Sequence, residues 1–223
     1  MDGGTARWDD LLEAQRLLQR HFPELVMVGG SAAILHAGHR LSVDADHVLA
    51  DLRSRFPEML KKLEKMAGWR TNRQQPPVLI LGNFQGVPTG IRQLRRARPL
   101  ETGEISGIRV PTLSEMTRIK GWMIATRNAV RDFVDFCALA EKLGPGFVAA
   151  LAPMDDLYPQ PEGETTLRQL ARQLAEPAPY DLATEVHAVA PLRDLQIPWN
   201  DWDYIVTFCH DLSKQIAVNL VLA

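Results

Sequence analysis

Apolar positions along the chain change character near residue 111. From 8 to 20 they recur at helical spacing (Leu11, Leu12, Leu17, Leu18), with Asp9 and Asp10 leading and Arg16 and Arg20 trailing, a charge order that suits the helix macrodipole. Pro23 closes that helix. A short apolar run at 25–28 predicts a strand, Gly29-Gly30 a turn, and 31–38 a helix that stops near Gly38. A second strand follows, carrying Asp44 and Asp46. Residues 50–67 are amphipathic again through Leu52, Phe56, Met59, Leu60, Leu63 and Met66. A polar stretch after Gly68-Trp69 leads to Pro76-Pro77 and a predicted strand over Val78–Leu81. Within 82–98, Gly82-Asn83 and Gly86 suggest turns and Ile91–Leu94 a strand; Gly103–Val110 holds further strand-like pieces.

Beyond Pro111 the period becomes helical. Thr112 and Glu115 form a capping-box pattern ahead of a helix that ends near Arg127. A second helix runs from Ala129 to Leu143 and ends at Gly144-Pro145. Helical patterns broken by Pro153, Pro159 and Pro161 fill 146–175, a loose connection with a short helix spans 177–198, and a helix over 199–222 closes the chain. The expectation is an α+β fold, with a mixed sheet and flanking helices in 1–111 and an all-helical half in 112–223.

Composition narrows this picture only a little. With 223 residues, 46% hydrophobic and 23% charged, the chain reads as one large or two small globular domains. A formal net charge of −2 excludes a generally basic nucleic-acid coat, although Arg92, Arg95, Arg96 and Arg98 gather in one segment. That segment is read either as a solvated sheet edge or as a phosphate contact. Cys137 and Cys209 lack metal-ligand spacing and read as free thiols of a reducing compartment. No leader architecture and no apolar run near the ~18 residues of a membrane span are visible, so a cytoplasmic location with no membrane partner is expected.

The chemistry concentrates in Gly29-Gly30-Ser31 and Asp44-x-Asp46. Two carboxylates on alternate residues of one strand share a face and repel unless a cation lies between them. Oxygen-only ligands of that kind suit Mg²⁺ or Mn²⁺. Gly29 and Gly30 allow a ligand close to the backbone, with free N–H groups of the next helix facing an anion. Further on, Lys120 and Arg127 lie about two helical turns apart and so point the same way. The histidines His36, His39 and His47 flank the motif and read as polar surface, while His21, His187 and His210 stand alone. The tryptophans at 69, 122, 199 and 202 read as core or interface anchors.

Gly29-Gly30-Ser31-Ala32 followed by Arg40-x-Ser42-x-Asp44-x-Asp46 resembles the signature of the nucleotidyltransferase superfamily. The nearer likeness is to its AbiEii-type group of minimal nucleotidyltransferases and type IV toxins. That group also carries a Lys-x-x-x-x-Ala-x-Arg helix and an Arg/Lys-Asp-x-x-Asp-Leu helix. Here Lys120, Ala125 and Arg127, then Arg131, Asp132 and Asp135, match in the same order. The resemblance covers roughly residues 20–143. It implies that Gly29, Gly30 and Ser31 hold a triphosphate and that Asp44 and Asp46 bind Mg²⁺ or Mn²⁺. It also implies that Lys120 neutralises phosphate charge as part of the catalytic set, and that Arg127, Arg131, Asp132 and Asp135 contact the nucleotide. For Lys120 and Arg127 the alternative is a solvated helix face; for Asp132 and Asp135 it is a salt-bridged hinge. Arg40 and Ser42 are expected to steady the loop.

One departure bears on activity. Relatives carry a third carboxylate on a later strand, and the corresponding strand here, Val87–Leu94, has none near Thr89 or Gly90. No Asp or Glu occurs between Glu64 and Glu101. Two functions therefore stay open. One is a metal-dependent transferase moving a nucleoside monophosphate from an NTP to a hydroxyl of RNA, protein or a small molecule, toxin-like and with a cognate antitoxin. The other is a catalytically degenerate relative acting as a nucleotide-binding or protein-interaction module.

Overall fold

In the computed structural model, which describes residues 3–161, 163–182, 192 and 194–222, helix α1 (Gly3–His21) precedes the short strand β1 (Val26–Val28). Helix α2 (Gly29–Ala37) begins directly at the double glycine, with no separate turn, because Gly29 adopts φ +75° and reverses the chain in one residue. Strand β2 (Ala45–Leu49) returns antiparallel to β1, and α3 (Leu52–Glu64) follows. The polar stretch after Gly68-Trp69, to which the sequence pattern assigns no element, is strand β3 (Trp69–Gln75), an exposed edge paired to β4 (Leu79–Phe84). Gly82 and Asn83, expected in a turn, lie within β4; the turn falls at Gln85-Gly86 before β5 (Val87–Gln93).

The five strands form one mixed sheet in the order β1-β2-β5-β4-β3. Only β2 and β5 run parallel, and the crossover between them supplies α3 and the β3–β4 hairpin. One sheet face is apolar: Ala45, Leu49, Ile80, Phe84 and Ile91 are buried there, and α3, which packs on β3 and β5, buries Leu52, Phe56, Met59 and Leu63. Full burial of each such large side chain contributes roughly 1.5–3 kcal/mol. A separate hairpin, β6 (Thr102–Ile105) with β7 (Ile108–Pro111), packs through β7 on α1 and β1. The Gln19 amide completes that packing: it accepts from Arg109 N at 2.7 Å and donates to Arg109 O at 3.0 Å and Leu25 O at 3.2 Å.

The chain divides into two compact units, the first comprising 1–35 and 41–111, the second 36–40 and 112–223. The described elements of the second are helices: α4 (Leu113–Arg127), α5 (Val130–Leu143), α6 (Phe147–Leu151), α7 (Met154–Leu157), α8 (Thr166–Ala175) and α9 (Trp202–Ile216). Thr112 caps α4 by accepting from Glu115 N. Gly121 lets α4 approach its neighbours, since a Cβ there would lie 3.0–3.2 Å from Leu170, Phe136 and Met154. The core gathers Ile124, Phe133, Phe136, Leu151, Met154, Leu170, Leu174 and Leu212, with Trp199 buried beside it. Cys137 and Cys209 are buried free thiols with Sγ atoms 3.4 Å apart. Of the expected short helix within 177–198, residues 183–191 and 193, including His187, lie outside the described residues. Among the described residues no helix is long and apolar enough to cross a membrane.

Candidate functional site

The β1–α2–β2 segment of the first unit assembles the Gly-Gly-Ser and Asp-x-Asp motifs. Strand β2 begins at Ala45, so Asp44 is the exposed residue just ahead of it and only Asp46 sits on the strand. The expected alternation of both carboxylates along one strand is therefore replaced by a loop residue and a strand residue. Asp44 is fixed locally: its carbonyl accepts from Ser31 Oγ at 2.5 Å, and its Oδ1 accepts from Ser42 Oγ at 2.8 Å. The Ser31 hydroxyl, buried and engaged with that carbonyl, leaves the main-chain N–H groups at the start of α2 to meet an anion.

Asp46 lies between two glycines. A Cβ on Gly29 would sit 3.7 Å from Asp46 Cβ, and one on Gly90 would sit 2.2 Å from Asp46 Oδ1. Gly90 is the direct register partner of Asp46 on the parallel strand β5. At Gly90, one of the two positions near which a third acid is expected, the space that a side chain would enter is occupied by the Asp46 carboxylate itself. Two residues further along the same face, Arg92 Nε donates to Asp46 Oδ1 at 3.2 Å. Both side chains are partly open, 47% for Arg92 and 35% for Asp46.

This donor set suits a hard divalent cation shared with a substrate. Mg²⁺ is commonly held by one or two carboxylates, with phosphates and waters completing the shell. Asp44 and Asp46 are the carboxylates that would supply that share, and the glycine at 90 adds no side-chain bulk beside Asp46. Among the described residues no cluster of three His, Cys, Asp or Glu could hold a metal unaided.

Beneath Asp46, His47 faces the apolar side of the sheet and is fully buried, not a surface histidine. Neither ring nitrogen makes a hydrogen bond of normal geometry, and burial pushes its pKa down to about 4, with the Gly90 main chain offsetting only part of that cost.

The second unit places the remaining expected residues in a buried ionic cluster. Lys120 Nζ lies 2.7 Å from Asp135 Oδ2 and 3.3 Å from Asp132 Oδ1. Arg127, two turns along α4 from Lys120, donates to Asp132 through Nε at 2.8 Å and through its terminal nitrogen at 2.6 Å. Arg40 grips Asp135 in a two-pronged contact at 2.8 and 3.1 Å, and His39 Nε2 lies 2.6 Å from Asp135 Oδ1. Burial pushes Asp135 up, but Lys120 and Arg40, with the His39 and Arg40 hydrogen bonds, hold it well below the usual carboxylate range. Lys120 is 3% exposed, which excludes the solvated-face reading for it; Arg127 is partly buried and Arg131 exposed. His39, read from sequence as polar surface, and Arg40 belong to this cluster; a partner some 95 positions away leaves no local signal.

No protein-family model matches the chain. It is 34% identical over 115 residues to the heme uptake protein MmpL11 of Mycobacterium tuberculosis, a match covering 48% of this chain and 12% of that protein. It is 33% identical over 96 residues to the mycolic acid-containing lipids exporter MmpL11 of Mycolicibacterium smegmatis, covering 40% of this chain and 10% of that protein. The chain thus spans about a tenth of the length of these curated relatives. Two solved structures match nearly all of it. One is JHP933 from Helicobacter pylori, at 13% identity and TM-score 0.53, covering 99% of this chain and 94% of that one. The other is an H. pylori protein described as a candidate nucleotidyltransferase, at 14% identity and TM-score 0.53, covering 99% and 97%. At these identities the likeness is one of fold: an α+β, nucleotidyltransferase-like fold built on a mixed five-stranded sheet.

Proposed function

We propose that the chain is a metal-dependent nucleotidyltransferase that moves a nucleoside monophosphate from an NTP to a hydroxyl of RNA, protein or a small molecule. The observation that supports this best is the seat of Asp46 between Gly29 and Gly90, with Asp44 fixed next to the start of α2. Asp44 and Asp46 would hold Mg²⁺ or Mn²⁺, which when bound neutralises phosphate charge and polarises the reacting oxygens. The main-chain N–H groups at Gly30 and Ser31 would bind the triphosphate, and Gly29 would keep that approach open. In the second unit, Asp132 and Asp135 hold Lys120 and Arg127 in fixed positions, and of Lys120, Arg127 and Arg131 the latter two have exposed surface for a nucleotide. A toxin-like, AbiEii-type role with a cognate antitoxin, in the cytoplasm, is the biological setting that the four motifs favour.

A specific observation favours the second function. Thr89 and Gly90 stand where a third acid is expected to serve as general base, and loss of such a group costs about 10²–10⁴-fold in rate. A nucleotide-binding module without turnover would follow. Incubating purified protein with each labelled NTP and Mg²⁺, together with RNA and protein acceptors, separates the two. Label transfer or pyrophosphate release that Asp44→Asn removes establishes the enzyme. Calorimetric nucleotide binding without turnover establishes the module, and absence of both overturns the nucleotide reading.

A further inference from the structure

We infer that Arg92 is a built-in cation of the Asp44/Asp46 site, taking the place of a second metal ion, so that the site accepts one divalent ion and only together with nucleotide. The inference rests on the nucleotidyltransferase reading and names how this chain departs from a three-carboxylate centre.

Four observations converge on it. Parallel pairing aligns Asp46 with Gly90, and side chains alternate along β5, so Gly90 and Arg92 share the face that carries Asp46. A side chain at 90 would compete with the Asp46 carboxylate for the same space, since a Cβ would lie 2.2 Å from Asp46 Oδ1 and 3.2 Å from Leu81. Arg92 Nε already donates to that same Oδ1 at 3.2 Å, so one of the two Asp46 oxygens carries a cationic partner in the free protein. Among the described residues no third His, Cys, Asp or Glu joins the pair to form a metal-binding cluster. With the Arg92 guanidinium on Asp46, the two carboxylates retain too little negative charge to strip water from two Mg²⁺ ions, which dehydrate reluctantly. The phosphates of a bound nucleotide supply the missing oxygens and charge. Arg92, held by a partly exposed pair that is easily exchanged, can then shift from Asp46 to a phosphate oxygen.

The test is Mn²⁺ binding read by electron paramagnetic resonance, with and without a non-hydrolysable ATP or GTP analogue. Wild type, Arg92→Gln, Arg92→Glu and Asp44→Asn are compared, each checked for folding by circular dichroism. Wild type should bind one Mn²⁺ per chain, and only with the analogue present. Arg92→Gln should bind Mn²⁺ detectably without nucleotide, at an affinity at least about tenfold above the limit that wild type sets under the same conditions, as expected from removing one charge a few ångströms from the ion. Arg92→Glu, which adds an acid on the Asp46 face, should bind more tightly still. Two Mn²⁺ ions per wild-type chain, or Arg92 variants no tighter than wild type, would overturn the inference while Asp44-dependent binding left the nucleotidyltransferase reading standing. No Mn²⁺ or nucleotide binding by any variant would overturn both.

Discussion

Lys120 Nζ and Asp135 Oδ2 lie 2.7 Å apart with both side chains buried, and Asp135 is at once the partner of Arg40 and His39. A carboxylate so placed is charged only because three groups compensate its lost hydration. Removing it strands Lys120 and Arg40, and breaking a buried pair on one side typically costs about 3–5 kcal/mol. Asp135→Ala should lower the free energy of unfolding by that amount in urea titrations, whereas Arg131→Ala on the exposed face of the same helix should change it by less than about 0.5 kcal/mol. Because Asp135 is held well below the usual carboxylate range, its contribution is complete above the ordinary value near 3.8 and is lost as pH falls through the depressed one.

His47 governs a higher pH window. Its buried ring titrates at about 4 in the fold, against 6.5 for the free side chain, so the folded state resists protonation. Stability is complete above pH 6.5 and falls as pH drops toward 4, where up to about 3 kcal/mol is lost. Thermal or urea unfolding measured from pH 7.5 to 4 should show this slope. His47→Met, which fills the site without a titrating group, should flatten the curve across that interval.

The apolar elements and the chemistry of the motif were legible in the sequence, because hydrophobic period and glycine placement are local signals. Strands β1, β2, β4 and β5 and the helices α1 and α3–α5 follow from Leu, Ile, Val and Phe spacing. Strand β3 was not, since Arg70, Asn72, Arg73, Gln74 and Gln75 are exposed on an edge strand where no alternation is required. The absence of an acid between Glu64 and Glu101 could be read directly. What the sequence could not show is the register of β2 against β5, which brings Gly90 under the Asp46 carboxylate. The same holds for His39 and Arg40, whose partner is set by folding and not by sequence spacing.

Gln19 substitutes for a neighbouring strand. Its amide answers both main-chain groups of Arg109 on β7 and also the Leu25 carbonyl, from a side chain 7% exposed. Gln19→Leu preserves volume but leaves those groups unpaired, at a cost of about 1–3 kcal/mol. Hydrogen–deuterium exchange should report it locally, as faster exchange of the Arg109 amide together with the β6–β7 hairpin. An unchanged Arg109 amide would show that solvent or another group replaces the glutamine.

Gly29 and Gly90 flank the same carboxylate for different reasons, and alanine should separate them. At Gly29 the Cβ meets only ordinary contacts, 3.7 Å from Asp46 Cβ, but φ is +75°. The cost of Gly29→Ala is therefore backbone strain of about 1–2 kcal/mol, visible as a lower unfolding midpoint. At Gly90 the Cβ would fall 2.2 Å from Asp46 Oδ1, the end of a side chain that can rotate away. Although the position is buried, Leu81 at 3.2 Å need give way by only a few tenths of an ångström. Gly90→Ala should therefore change stability by less than about 1 kcal/mol, yet displace the carboxylate on which metal and nucleotide binding are proposed to depend. Unfolding midpoints and Mn²⁺–nucleotide affinity measured on both variants should separate accordingly, with Gly29→Ala the less stable and Gly90→Ala at least about tenfold weaker in binding, the loss that about 1.4 kcal/mol of misplaced contact produces. If Gly90→Ala binds as wild type does, the Asp46 carboxylate is not the anchor of the ion.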